Sequence, residues 1–115
     1  MIPFFVADYP NPAYALSDVI AKARVGYIHF SGKALDGAGE LDFSPQDVID
    51  CLTGLSATDF YKSMDAKNPQ WAGHRQDVYK TLHLDKPVYV KLQYWPAKTK
   101  KLFIVSFKRN SDVRS

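Results

Sequence analysis

The chain has 115 residues, 46% of them hydrophobic and 14% aromatic. That suits one domain with its own core over 1–115 and excludes wholesale disorder. A single cysteine, Cys51, excludes an internal disulfide framework and a cysteine-based zinc site.

The formal charge is only +3, but it is segregated. Residues 1–60 hold 3 Lys+Arg against 8 Asp+Glu, and residues 61–115 hold 12 against 4. The second half is therefore the one suited to a polyanion. Lysines that solvate sheet edges and turns give the same statistic.

The opening stretch MIPFFVADYPNP is a short apolar run without a leading positive charge, cut by Asp8 and Pro10. It argues against a signal peptide, and no stretch approaches the ~20 apolar residues of a membrane span. Residues 1–12 read as an N-terminal extension. In NPAYALSDVIAKARVG, Leu16, Val19, Ile20 and Ala23 recur at helical spacing, and Gly26 can end the helix. YIHFS, residues 27–31, fits a short strand or an extended connection. GKALDGAGELDF carries three glycines, which leave its structure open; a short helical turn around Lys33 to Asp36 fits.

SPQDVIDCLTGL is the clearest helix. Ser44 is placed to cap it, Pro45 suits its first position and Asp47 favours its first turn. Val48, Ile49, Leu52 and Leu55 form its apolar stripe, with Cys51 at the border as a small buried apolar residue.

After residue 58 the apolar period changes from helical to two. DFYKSM, QDVYKTLHL, PVYVKLQYW and KLFIVSFKR are strand candidates, the last two joined by PAKTK as a hairpin loop. Helices followed by neighbouring strands give an α+β fold: a mostly antiparallel sheet with helices packed on one face. Residues 110–115 read as a C-terminal tail.

Alternation sorts the strands into two faces. Val88, Val90, Leu92 and Tyr94 point one way, while Tyr89, Lys91, Gln93 and Trp95 point the other. In KLFIVSFKR, Phe103, Val105 and Phe107 form the natural core set, opposite Leu102, Ile104, Ser106 and Lys108. Lys62 shares a side with Phe60 and Met64, and Gln76 shares one with Val78, Lys80 and Leu82. One open face can thus collect Lys62, Gln76, Tyr89 and Lys108. Lysines neutralise phosphate and aromatic rings stack on unpaired bases, so such a face suits RNA. An ordinary half-exposed sheet reads the same way.

GLSATDFYKSM, QDVYK, PVYVKL and LFIVSFK, in this order, resemble the MqsR toxin family from about Val48 to Lys108. The resemblance implies a RelE-like α+β fold and the toxin role of a bacterial, cytoplasmic type II toxin–antitoxin pair. It implies cleavage of single-stranded mRNA at GCU-like sites with neither ribosome nor metal, no cofactor, no membrane, and an MqsA-like antitoxin partner. That partner would be a DNA-binding repressor with its own zinc site. Carried onto this sequence, the family's catalytic groups are Lys62, Gln76, Tyr89 and Lys108. Met64, His74, Arg75, Lys80 and Lys91 are the expected RNA contacts. Arg75 stands where the family has tryptophan, with Trp71 nearby, and the segment between Met64 and Gln76 is longer than the family's.

The chemistry such residues support is attack of a 2′-hydroxyl on the adjacent phosphate, which DNA cannot undergo. Lys62 and Lys108 would carry the phosphate charge, one of them also moving a proton; Tyr89 would give a proton or hydrogen bond, and Gln76 would hold an oxygen. Histidine titrates near neutrality and competes for the proton role. His29 reads as structural or partly buried, His83 lies off the face with Tyr79 and Asp77, and His74 is the best of the three. None is spaced from a carboxylate as a metal ligand would be. Trp71 and Trp95 can stack on bases or simply fill space, and Lys98, Lys100 and Lys101 make a basic hairpin tip. A non-catalytic RNA-binding or antitoxin-binding module on the same fold is the alternative.

Overall fold

Helix α3 (Pro45–Thr53) forms where the sequence places it. Ser44 Oγ accepts from the Asp47 backbone N–H at 3.1 Å, and the Asp47 carboxylate accepts from the Ser44 N–H at 2.9 Å. This capping box satisfies two donors that a helix start leaves unpaired. Val48, Cys51 and Leu52 are buried on its inner side. Helix α1 (Leu16–Arg24) buries Val19 and Ala23 beside it.

The computed structural model describes residues 8–111. Residues 1–7 and 112–115, most of the expected extension and tail, lie outside the described residues. No helix among the described residues is long and apolar enough to cross a membrane.

The glycine-rich segment, which the sequence leaves open beyond a short turn, is a full helix, α2 (Gly32–Glu40). Ser31 secures its start: Ser31 Oγ accepts from the Ala34 N–H at 2.9 Å and donates to the Val105 carbonyl at 2.8 Å. Gly37 secures its packing. A Cβ there would stand 1.9 Å from the Phe107 carbonyl oxygen, so only glycine lets this helix lie against the strand. Tertiary packing outweighs the poor helix propensity of glycine.

Five strands follow: β1 (Ile28–Phe30), β2 (Phe60–Asp65), β3 (Arg75–His83), β4 (Lys86–Tyr94) and β5 (Leu102–Arg109). They form one sheet in the order β1-β5-β4-β3-β2, antiparallel except for the β1/β5 pair. The expected α+β class is correct. The core lies between the sheet and the helices, where Val88, Val90 and Leu92 meet Val19, Val48 and Leu52.

Two bulges change the expected faces. On β5, Ser106 pairs with Lys91 while Ile104 pairs with Leu92, leaving Val105 as the extra residue. A bulge reverses side-chain parity along a strand. Leu102 and Ile104 therefore join the core, as Phe107 does. Phe103, expected in the core, pairs with Gln93 on the open face, and Val105 is only half-buried. On β2 the register shifts at Tyr61, between the Phe60–Tyr79 and Lys62–Val78 pairs. Phe60 packs against the core while Lys62 faces outward, so the two do not share a side.

The N-terminal segment covers the free edge of β2. Tyr9 and Ser63 exchange backbone hydrogen bonds of 2.7 and 3.0 Å. The fully buried Asp77 carboxylate accepts from the Ala13 and Tyr14 N–H groups at 2.9 and 3.0 Å. An edge paired in this way is protected from pairing with another chain.

Candidate active site

The sheet face away from the helices gathers most of the site residues expected from sequence. Register places Lys62 beside Val78, Val78 beside Lys91, and Lys91 beside Ser106. A second row runs Lys80–Tyr89–Lys108, and Met64 sits beside Gln76. Lys62, Met64, Gln76, Lys80, Tyr89, Lys91 and Lys108 thus share one surface. The β5 bulge is what brings Ser106 and Lys108 there together with Phe103.

Aromatic rings and one carboxylate hold Lys108, Lys80 and Lys62 in place. Lys108 Nζ lies 5.0 Å from the Tyr89 ring centre, and Lys80 Nζ lies 3.6 Å from that of Tyr61. Lys62 Nζ makes an ion pair with Asp8 at 3.1 Å. Gln76 is 3% exposed, and its Nε2 donates to Gln93 Oε1 at 2.7 Å. That bond fixes the Gln76 amide while leaving its second N–H hydrogen available.

A cavity of about 350 Å³ opens on this face. Met64, Gln76, Lys91 and Val105 come from the strands, Ser31 and Lys33 from the start of α2, and Lys67, Asn68 and Trp71 from the β2–β3 connection. No lining side chain is acidic. Burial first, then the repulsion of Lys33, Lys108, Lys67 and Lys62, holds the Lys91 ammonium below the ordinary lysine range. Such a concentration of positive charge favours a polyanion. Beside it, Trp71, Trp95 and Phe103 form an aromatic cluster with centroids 5.4 to 6.4 Å apart.

Arg75 and His74 fall elsewhere. Arg75 is directed to the β2 edge, where its Nε donates to Ser63 Oγ at 3.1 Å and its guanidinium to the Asn11 carbonyl at 2.8 Å. It also covers the Tyr9 ring at 4.0 Å. It thus anchors the N-terminal segment, because consecutive strand residues point to opposite faces. His74 lines a separate cleft with Tyr14, Tyr94, Ala97 and Lys100. His29 is exposed, not partly buried, and stacks on Phe103 at 5.6 Å. His83 meets Phe43 edge-on beneath the sheet. The hairpin tip turns toward α1, where Lys100 lines the His74 cleft. Among the described residues no group of three or more His, Cys, Asp or Glu converges on a point.

Lys33 and Lys67 were not foreseen. Each is a single lysine in a helix start or a loop, and only the folded arrangement brings it to the cavity. Lys67 had only the Lys and Arg excess of the second half as a signal, and Lys33, in the acidic half, had none.

Over residues 11–109 the chain matches the family described as "Motility quorum-sensing regulator, toxin of MqsA". A curated relative, the mRNA interferase toxin MqsR of Escherichia coli (strain K12), is 32% identical over 100 residues, covering 85% of this chain and 94% of the relative. The family match takes in helices α1 to α3 and strands β1 to β5, and the chain belongs to the MqsR toxin family.

Proposed function

We propose that this chain is the toxin of a type II toxin–antitoxin pair, an mRNA interferase that cleaves single-stranded mRNA at short motifs of the GCU kind. It would act in the bacterial cytoplasm, without ribosome or metal, and be held in check by an MqsA-like antitoxin. The observation that carries this reading is the shared face of Lys62, Gln76, Tyr89 and Lys108 beside a cation-lined cavity, in a chain of this family.

The mechanism follows from the chemistry of RNA. The 2′-hydroxyl attacks the adjacent phosphorus and expels the 5′-oxygen, leaving a 2′,3′-cyclic phosphate and a 5′-hydroxyl. The transition state gathers negative charge on the nonbridging oxygens, and preorganised donors aimed at that charge are the largest aid a protein can give. Lys62 and Lys108 offset that negative charge from opposite sides of the face. Tyr89, between Lys80 and Lys108, gives its phenolic proton to the leaving oxygen. Gln76 holds an oxygen with its free N–H. Met64 and Lys80 contact the flanking nucleotides, and Lys91 lies beside the scissile phosphate.

The test is cleavage of an unstructured RNA of varied triplets, with EDTA present. Wild-type protein should cut at defined triplets and leave cyclic-phosphate ends. Lys62→Ala should lower the rate by ~10²–10³ and Tyr89→Phe should lower it too. Intact RNA in the presence of folded, RNA-binding wild-type protein would instead make this face a binding module.

A further inference from the structure

The 2′-hydroxyl must lose a proton, and the residues assigned above leave that step without an acceptor. Resting on the cleavage reading, the geometry points to Lys91 as the catalytic base that takes the proton of the attacking 2′-hydroxyl. Lys91 stands at the middle of the face, between Val78 on β3 and Ser106 on β5. It lines the cavity alongside Gln76, whose amide can hold the same hydroxyl.

The two other candidate lysines are placed differently. Lys62 is engaged by Asp8, and Lys108 is exposed beside the Tyr89 ring. Burial and neighbouring cations both favour the neutral amine, and Lys91, half-buried among lysines, has both. Cations reach it from every side: Lys62 from β2, Lys67 from the β2–β3 connection, Lys33 from α2 and Lys108 from β5. Lys80 of β3 and Tyr89 of its own strand share the face. The carboxylates of Asp36 and Glu40 on α2 line the neighbouring cleft and not this cavity.

The step balances. The neutral Nζ takes the 2′-hydroxyl proton, the 2′-oxygen bonds to phosphorus and the bond from phosphorus to the 5′-oxygen breaks. The 5′-oxygen leaves with the Tyr89 proton. Lys91 then releases its proton to solvent, and Tyr89 regains one from solvent.

Arginine separates a base from a charge, because it keeps the cation and does not deprotonate. Single-turnover cleavage should be measured against pH for wild type, Lys91→Arg and Lys91→Ala, and each should be titrated with a DNA oligonucleotide of the same sequence. Lys91→Arg should bind DNA within about threefold of wild type yet cleave RNA ~10²–10⁴-fold more slowly. It should also lose the rise of rate with pH that wild type shows. Small primary amines should restore part of the activity of Lys91→Ala. Near-wild-type cleavage by Lys91→Arg with the same pH profile would overturn the assignment, as would a rate loss matched by an equal loss of binding. Either result leaves the interferase reading standing. A wild type that binds but never cleaves would reject both.

Discussion

Lys62 sits inside an apolar strand run without being buried. The Tyr61 bulge turns it outward while Phe60 stays against Tyr79. Its partner is Asp8, in the segment that covers the β2 edge. An incoming phosphate must displace that carboxylate. An exposed pair of this kind is worth ~0.2–1 kcal/mol. Asp8→Asn should therefore tighten binding of an uncleavable oligonucleotide by up to about fivefold at low salt, measured by fluorescence anisotropy. Weaker binding would mean instead that Asp8 orients Lys62 productively. Lys62, Gln76, Tyr89 and Lys108 were legible as one surface because parity within each short strand is a local property. Arg75 was expected as an RNA contact next to Gln76 and lies off this surface, since one residue along a strand is the opposite face.

At the scale of elements, the bulges and the second helix were illegible for a common reason: each is set by a distant partner. Val105 is extruded from the β4/β5 ladder and its carbonyl is held by Ser31, 74 positions away. Unbroken alternation along KLFIVSFKR put Phe103 inside and Ile104 outside. The helix over the glycine-rich segment depends on its contact with Phe107, which no local propensity encodes. Gly37→Ala would force α2 away from β5 and should destabilise the protein by about 1–3 kcal/mol. Gly39→Ala meets nothing within 4 Å of its new Cβ and should be neutral or stabilise by up to ~1 kcal/mol. Denaturant midpoints of the two variants check the contrast. Because α2 carries Lys33 and is capped by Ser31, Gly37→Ala should also slow RNA cleavage. Equal midpoints for the two would mean that α2 yields without cost.

For the whole molecule, the charge segregation seen in the sequence becomes a two-sided one. The open face holds Lys62, Lys80, Lys91 and Lys108, and α2 and the β2–β3 connection add Lys33 and Lys67 around the cavity. The hairpin tip, despite its run of lysines, lies toward α1, where the Tyr94 hydrogen bond first, then Lys22 and lastly Lys100, hold the Asp18 carboxyl below its usual range. Counterion release from single-stranded nucleic acid gives a slope of about −0.7 per neutralised phosphate in log K against log salt. If the lysines of this face and cavity set the affinity, the slope should lie between about −2 and −4. Lys33→Gln with Lys67→Gln should flatten it by about one. Lys100→Gln with Lys101→Gln should leave it unchanged, because those charges are on the other side. Titrating a fluorescent DNA oligonucleotide over a range of salt concentrations measures all three. A slope that responds to the hairpin pair and not to the cavity pair would place the nucleic acid on the α1 side of the molecule, away from Lys62 and Tyr89.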